Sequence, residues 1–417
     1  MSEIDLSTLN IFAAAGRTEF NAGVGTNSFH DMRTYAEGYL QAAEKLTEVM
    51  IEQRLMPQRD TLVHPILYSA RHGIELSIKH VLSILHDVAI KTEERLLHGH
   101  QLGQLWPLFK EKTCFDRRVI AIVDVIDPIV IQLDQSDPDA QDFRYPINSA
   151  GEQTLEGKTI VNLAVVAKLI KVLHVNLLEL MRLAERIVQE RKLNAYTDSL
   201  NREELKKLSL ELPDISTWAG SDEFFKVREK WKESLELSNG AFSRAVDFIK
   251  NHREFSGNIG NDHSLIALDI DFLERLFTVA YEMRKQDIAD RDLDILEAVL
   301  KPSLARENYP SFKDDLSLER LAELKALYYF QDVAYMSESY EVEYECFVKE
   351  LSVFEGESLE NAIKEGFIHV YEKLDFIPAV LIGLKLTGQL KYYDSLSRYE
   401  VIENFDSSKL GRLVTNS

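Results

Sequence analysis

The chain has 417 residues, 45% of them apolar and 28% charged, with a formal net charge of −21. This exceeds the roughly 250–300 residues at which a single core stops growing, so two domains are expected. An acidic chain lacks the attraction to phosphate that supplies most non-specific nucleic-acid affinity, which excludes general DNA binding.

Gly and Pro number only 18 and 10, too few for the turns of an all-β protein of this length. The fold class expected is all-α, with an N-terminal four- to five-helix bundle followed by a second, acidic, multi-helix domain. The charge divides unevenly, −6 over residues 1–200 and −15 over 201–417. Cys114 and Cys346 stand far apart without a partner at metal-ligand spacing, which fits a reduced, cytoplasmic setting. The N-terminus MSEIDLSTLN has no basic region leading into an apolar run. No stretch reaches the roughly 18 uninterrupted apolar residues needed to span a bilayer. A soluble protein without a membrane partner is expected.

In chain order, residues 1–27 read as an arm, and Asn27 or Ser28 as the cap of a helix running to Arg54 and stopped by Pro57. A second helix is expected over 61–88. A short one follows over 101–111, interrupted near Pro107, and another over 116–133. The polar stretch QSDPDAQDFRYPINSAGEQTLEG, 135–157, is a long loop of the kind that often carries function. After it an apolar stripe persists for about thirty residues to Leu193. The bundle therefore spans 28–195, a linker 196–221, and an acidic all-α domain 222–417. In the last of these, helices are expected over 222–236, 239–251, 264–284, 287–300, 317–335, 342–353, 358–374 and 377–389.

The second helix contains YSARHGIELSIKHVL, an unusual load of charge for a core helix. At 100° per residue, Arg71, Glu75, Lys79, His72 and His86 fall within about 100° of one another. Ile74, Ile78, Val81, Leu82 and Leu85 form the core side. Ala70, Gly73 and Ser77 make a third, small-residue face where another backbone can approach. On an exposed face, Arg71, Glu75 and Lys79 form a solvated ladder worth about 0.2–0.5 kcal/mol per pair. In a cleft between helices, Arg71 and Lys79 bind an anionic group and Glu75 holds them in place. Six of the eleven histidines, His64, His72, His80, His86, His98 and His100, fall within 37 residues, which favours the cleft.

RHGIELSIKH, then HGHQLGQLW, then FRYP after a polar loop resembles a subgroup of the HEPN-like helical bundles over roughly residues 28–193. The resemblance implies a four- to five-helix bundle, often dimeric. Its superfamily includes RNA-cleaving toxins of bacterial defence and toxin–antitoxin systems as well as members without catalytic activity. Catalytic members carry Arg, four to six residues, then His, near the start of a late bundle helix. They use a basic group to hold the phosphate and an imidazole to move the proton of the ribose 2′-hydroxyl, with no metal or other cofactor.

Arg59 with His64 and Arg95 with His100 have that spacing, but about two such matches are expected by chance. At the expected position Arg144 has no histidine in range, and His174 lies too deep in the last helix. A centre is therefore assembled from His100, Arg144 and His72 as catalytic candidates. Arg71, Glu75, Lys79 and Tyr145 are candidates for binding phosphate. The binding partner expected is RNA or a nucleotide.

The competing expectation is a non-catalytic dimerisation scaffold that engages a protein partner through its acidic half, where YMSESYEVEYE, 335–345, alternates glutamate with tyrosine. The same stretch also reads as an exposed helix start. There is no HExxH, no Cys pair and no phosphate-cradling Gly-rich loop with Lys-Ser/Thr. HGH and the run Asp137, Asp139, Asp142 lack the placed ligands of a metal site. Trp106 reads as a core anchor.

Overall fold

Short polar side chains set where the helices begin, because each can accept an amide that has no intrahelical partner. In a computed structural model of the chain, which describes residues 10, 12, 21–25, 30–91, 99–148, 151–289, 304–333 and 336–399, sixteen α-helices and no strand occur among the described residues. The chain divides into two compact units, Met1–Lys192 and Leu193–Ser417. No helix among the described residues is long and apolar enough to cross a membrane.

The first unit contains α1 (Met32–Glu52), α2 (Arg59–Leu85), α3 (Leu102–Thr113), α4 (Arg117–Ser136) and α5 (Leu163–Lys192). The cap of α1 is Asp31, which accepts from the Thr34 amide at 3.0 Å; Asn27 and Ser28, the expected caps, lie outside the described residues. Helix α2 is central and packs against α1, α3, α4 and α5. Its small-residue face meets α1 as expected: a Cβ on Gly73 would stand 2.7 Å from Leu40 Cγ. On the core side, Ile74, Ile78, Val81, Leu82 and Leu85 join Trp106, Phe109, Ile126 and Leu177 in one cluster. Helix α3 runs unbroken through Pro107 to Thr113. Burial of Leu105, Trp106 and Phe109 outweighs the one ladder bond a proline removes.

The second unit contains α6 (Arg202–Glu211), α7 (Asp222–Leu235), α8 (Asn239–Asn251), α9 (Arg253–Asn258), α10 (Ile270–Ala289), α11 (Leu304–Asn308), α12 (Leu318–Val333), α13 (Tyr340–Leu351), α14 (Gly356–Tyr371), α15 (Phe376–Leu386) and α16 (Leu390–Leu396). The expected linker 196–221 is a correction. Its centre is α6, opened by a reciprocal Asn201–Glu204 capping box, and Leu200, Leu205, Leu208 and Leu212 are buried against Trp231, Phe242 and Phe255. A polar surface had concealed four leucines at helical spacing.

A second cluster gathers Phe272, Phe277, Leu321, Phe367, Tyr371 and Phe376. The helix expected from 264 begins only at Ile270. Buried Glu323 accepts the amides of Ile266, Ala267 and Leu268 at 2.5 to 2.6 Å, satisfying that backbone in loop form. The break expected before 287 is absent, since α10 continues to Ala289; residues 290–303 lie outside the described residues.

Helix α15 approaches α12 at Gly383, where an added Cβ would stand 2.2 Å from the Leu327 carbonyl oxygen. Because backbone cannot swing aside as a side chain can, Gly383→Ala is expected to cost about 1–3 kcal/mol. An unchanged thermal midpoint for this variant would show that the two helices are not held so closely.

Arg202, 8% exposed, ties the two clusters of the second unit together. It donates to Glu254 at 2.6 Å and to Glu338 at 2.9 Å, while His252 Nε2 lies 2.7 Å from Glu338. Burial alone would push the Glu338 carboxyl up; His252 and Arg202 outweigh it and hold the group at about 2. The acidic segment 335–345 is accordingly not one free surface. Glu338 and Tyr340 face inward, and Glu341 pairs with Arg253 at 2.6 Å; Tyr335 lies outside the described residues.

Candidate functional site

Helix α2 carries the polar ladder at the expected spacing, but the ladder is buried. Arg71 and Glu75 are 1% exposed and Lys79 6%. The reason is long-range. Arg71 Nε donates to the Asp137 carbonyl at 3.0 Å, and Nη2 donates to the His100 carbonyl at 2.9 Å. The guanidinium also lies 3.5 Å from Glu75 and 3.4 Å from the Asp137 carboxylate. It thereby fastens the segment before α3 and the segment after α4 onto α2. Asp137, expected in a solvated loop, is fully buried, and its Oδ1 accepts the Asp142 amide at 2.8 Å.

Glu75 is the hub. Its Oε1 accepts from Lys79 Nζ at 2.7 Å and from His100 Nδ1 at 2.8 Å, and His72 Nδ1 lies 3.8 Å from Oε2. Burial alone pushes this carboxyl up, yet His72, Lys79 and His100 outweigh burial and hold it down at about 2. The group is therefore an anion. Since a carboxylate only accepts, His100 carries its proton on Nδ1, and in the neutral ring Nε2 keeps a free lone pair. The His100 side chain is 68% exposed. A buried acid thus orients a surface imidazole, the arrangement a general base requires.

Arg144 sits in the loop after α4. Its Nε donates to the Ala140 carbonyl at 2.7 Å, and its guanidinium lies over Tyr68 (5.6 Å) and Tyr145 (5.3 Å). With Nε fixed and the plane set by two rings, the terminal nitrogens form an oriented fork for an oxyanion. Tyr145 is 53% exposed. Tyr68 stacks on His72 at 5.6 Å with the rings 8° apart, and Tyr39 meets His72 edge-on at 4.5 Å. Through Tyr68 and His72, Arg144 is linked to Glu75 and so to His100.

Of the expected site residues, the structure brings together Arg71, His72, Glu75, Lys79 and His100 directly, and Arg144 and Tyr145 through Tyr68. The expected roles change for two of them. Arg71 and Lys79 direct their donors inward, so they position the cluster and do not present charge to a ligand. His86 leaves the shared face because α2 ends at Leu85 and His86 turns to extended backbone (ψ 142°). His174 packs with Glu44 on α1, away from the cluster. Arg95 and His98 lie outside the described residues. Sequence reading missed Tyr68, although its position four residues before His72 was available as a signal. It also missed Tyr39, whose approach from α1 carried none.

Fold and cluster together define an all-α protein in which a buried carboxylate stands at the base of a surface imidazole. No protein-family model matches the chain, and neither does any curated protein or solved structure.

Proposed function

We propose that the first unit is a HEPN-like bundle of defence or toxin type, which binds RNA at the face carrying Arg144 and His100 and cleaves it without a metal. The observation that carries this reading is the 2.8 Å contact between buried, ionised Glu75 and Nδ1 of exposed His100. Arg144 grips a backbone phosphate through its terminal nitrogens. Nε2 of His100 takes the proton of the 2′-hydroxyl, and the 2′-oxygen forms a bond to phosphorus. The bond to the 5′-oxygen breaks, and that oxygen takes a proton from solvent. The products are a 2′,3′-cyclic phosphate and a free 5′-hydroxyl. The nucleophile belongs to the substrate, so the protein supplies only positioning, charge and a proton acceptor.

One observation favours a second reading, a non-catalytic scaffold: Arg71 and Lys79, two of the three Lys and Arg side chains of the cluster, are neutralised inside the fold by Glu75 and Asp137. Total RNA incubated with the protein in a chelator separates the two. Cleavage by wild type, lost in His100→Ala, supports the nuclease; intact RNA at every salt concentration supports the scaffold. Binding adds an independent check. Arg144→Ala is expected to weaken single-stranded RNA binding and to reduce the salt-dependence slope by about 1, the release of one counterion. An unchanged slope removes Arg144 from the phosphate contact.

A further inference from the structure

The second unit contains a pocket of about 440 Å³ between the 309–316 segment and α14. This is within the range of about 300–1,000 Å³ typical of small-molecule sites. Its floor is apolar: Tyr309 and Leu316 are buried and Ile363 is half-buried. Its rim is charged with both signs, Glu357 and Glu360 against Lys313 and Lys364, with Asn361 between.

Glu357, Glu360, Asn361 and Lys364 follow one another at i, i+3, i+4 and i+7, which puts all four on one face of α14. The helix does not need them for its own ends, since Glu355 and Ser358 form its capping box. Glu360 and Lys364 have the spacing of a helical ion pair, yet neither they nor Glu357, Asn361 and Lys313 make a side-chain hydrogen bond or ion pair with another described residue. Both signs of charge are thus left open around an apolar floor.

We infer that this pocket binds a small zwitterion with an apolar side chain, of the class of a free aliphatic or aromatic α-amino acid. Its ammonium group meets Glu357 and Glu360. Its carboxylate meets Lys364 and Lys313, and its side chain lies on Tyr309, Leu316 and Ile363. A simple anion would meet the two carboxylates, and a simple cation the two ammonium groups, so a ligand carrying both charges is selected.

Calorimetric titration of the full chain with L-leucine and L-phenylalanine tests this. At least one is expected to give saturable heat. L-Leucinamide and N-acetyl-L-leucine, each lacking one charge, are expected to bind at least about tenfold more weakly than the parent. Glu360→Ala and Lys364→Ala are expected to weaken the amino acid to a similar degree, with unfolding midpoints equal to wild type. Absence of heat with both amino acids overturns the assignment. So does equal binding of either blocked derivative, or binding unaffected in both variants.

Discussion

Glu75→Ala is expected to lower the stability of the first unit by about 3–5 kcal/mol, the range observed when one partner of a buried ion pair is removed. Glu75 and Arg71 side chains are each 2% exposed and Lys79 is 7% exposed, so removing the carboxylate strands Lys79 with little water in reach and leaves Arg71 only Asp137 as counter-charge. Arg71→Ala should cost as much, because it leaves the buried Asp137 carboxylate without its cation, removes one from Glu75, and releases the carbonyls of His100 and Asp137. The double variant should cost much less than the two singles together, since each already breaks the shared network. Urea unfolding followed through Trp106 fluorescence, with Trp218 and Trp231 of the second unit replaced by Phe in all variants compared, reads this. A loss below about 1 kcal/mol in either single variant would mean that water enters the cluster and screens it.

The same carboxylate sets an acid limit. With its folded pKa held at about 2 against an ordinary 4.5, Glu75 contributes stability that is fully present above pH 4.5 and drains away as pH falls toward 2. Glu338 does the same for the second unit.

His100→Ala should slow RNA cleavage by about 10²–10⁴-fold, the span attributed to one general base. The unfolding midpoint should fall much less than in Glu75→Ala, because Glu75 keeps Lys79 and Arg71 as partners when the ring, 68% exposed, is removed. That contrast separates His100 from Arg71, whose removal disables any activity by loosening the fold. Arg71→Ala is therefore uninformative about chemistry, although its position in the sequence motif invites the experiment. The product ends supply a further check. A 5′-phosphate in place of a 5′-hydroxyl would exclude attack by the 2′-oxygen, and with it the proposed role of Nε2.

The spacing of Arg71, Glu75 and Lys79 placed them together on one face, and helix periodicity located α1 to α5 within a few residues of their ends. Local pattern could not show which way that face points. Its burial depends on Asp137 and on the His100 carbonyl, 66 and 29 residues away, and backbone carbonyls leave no trace in a sequence. The same limit hid α6, where charged residues between leucines resembled a linker. It also misassigned the start of α10, because the amides of residues 266–268 are satisfied by Glu323, more than fifty residues further on. Tyr68 was within reach of a spacing argument, and only its aromatic contact with Arg144 required the fold.

Arg71 clasps two segments that are 37 residues apart in the chain, one ending in His100 and the other leading to Arg144. Asp137 also closes the last turn of α4 through its amide and the Leu133 carbonyl, and His100 is also held by Glu75, so the guanidinium is a shared long-range tie added to local ones. The imidazole and the anion fork therefore share one anchor. A change at Arg71 therefore reaches both through the backbone, without contacting either side chain.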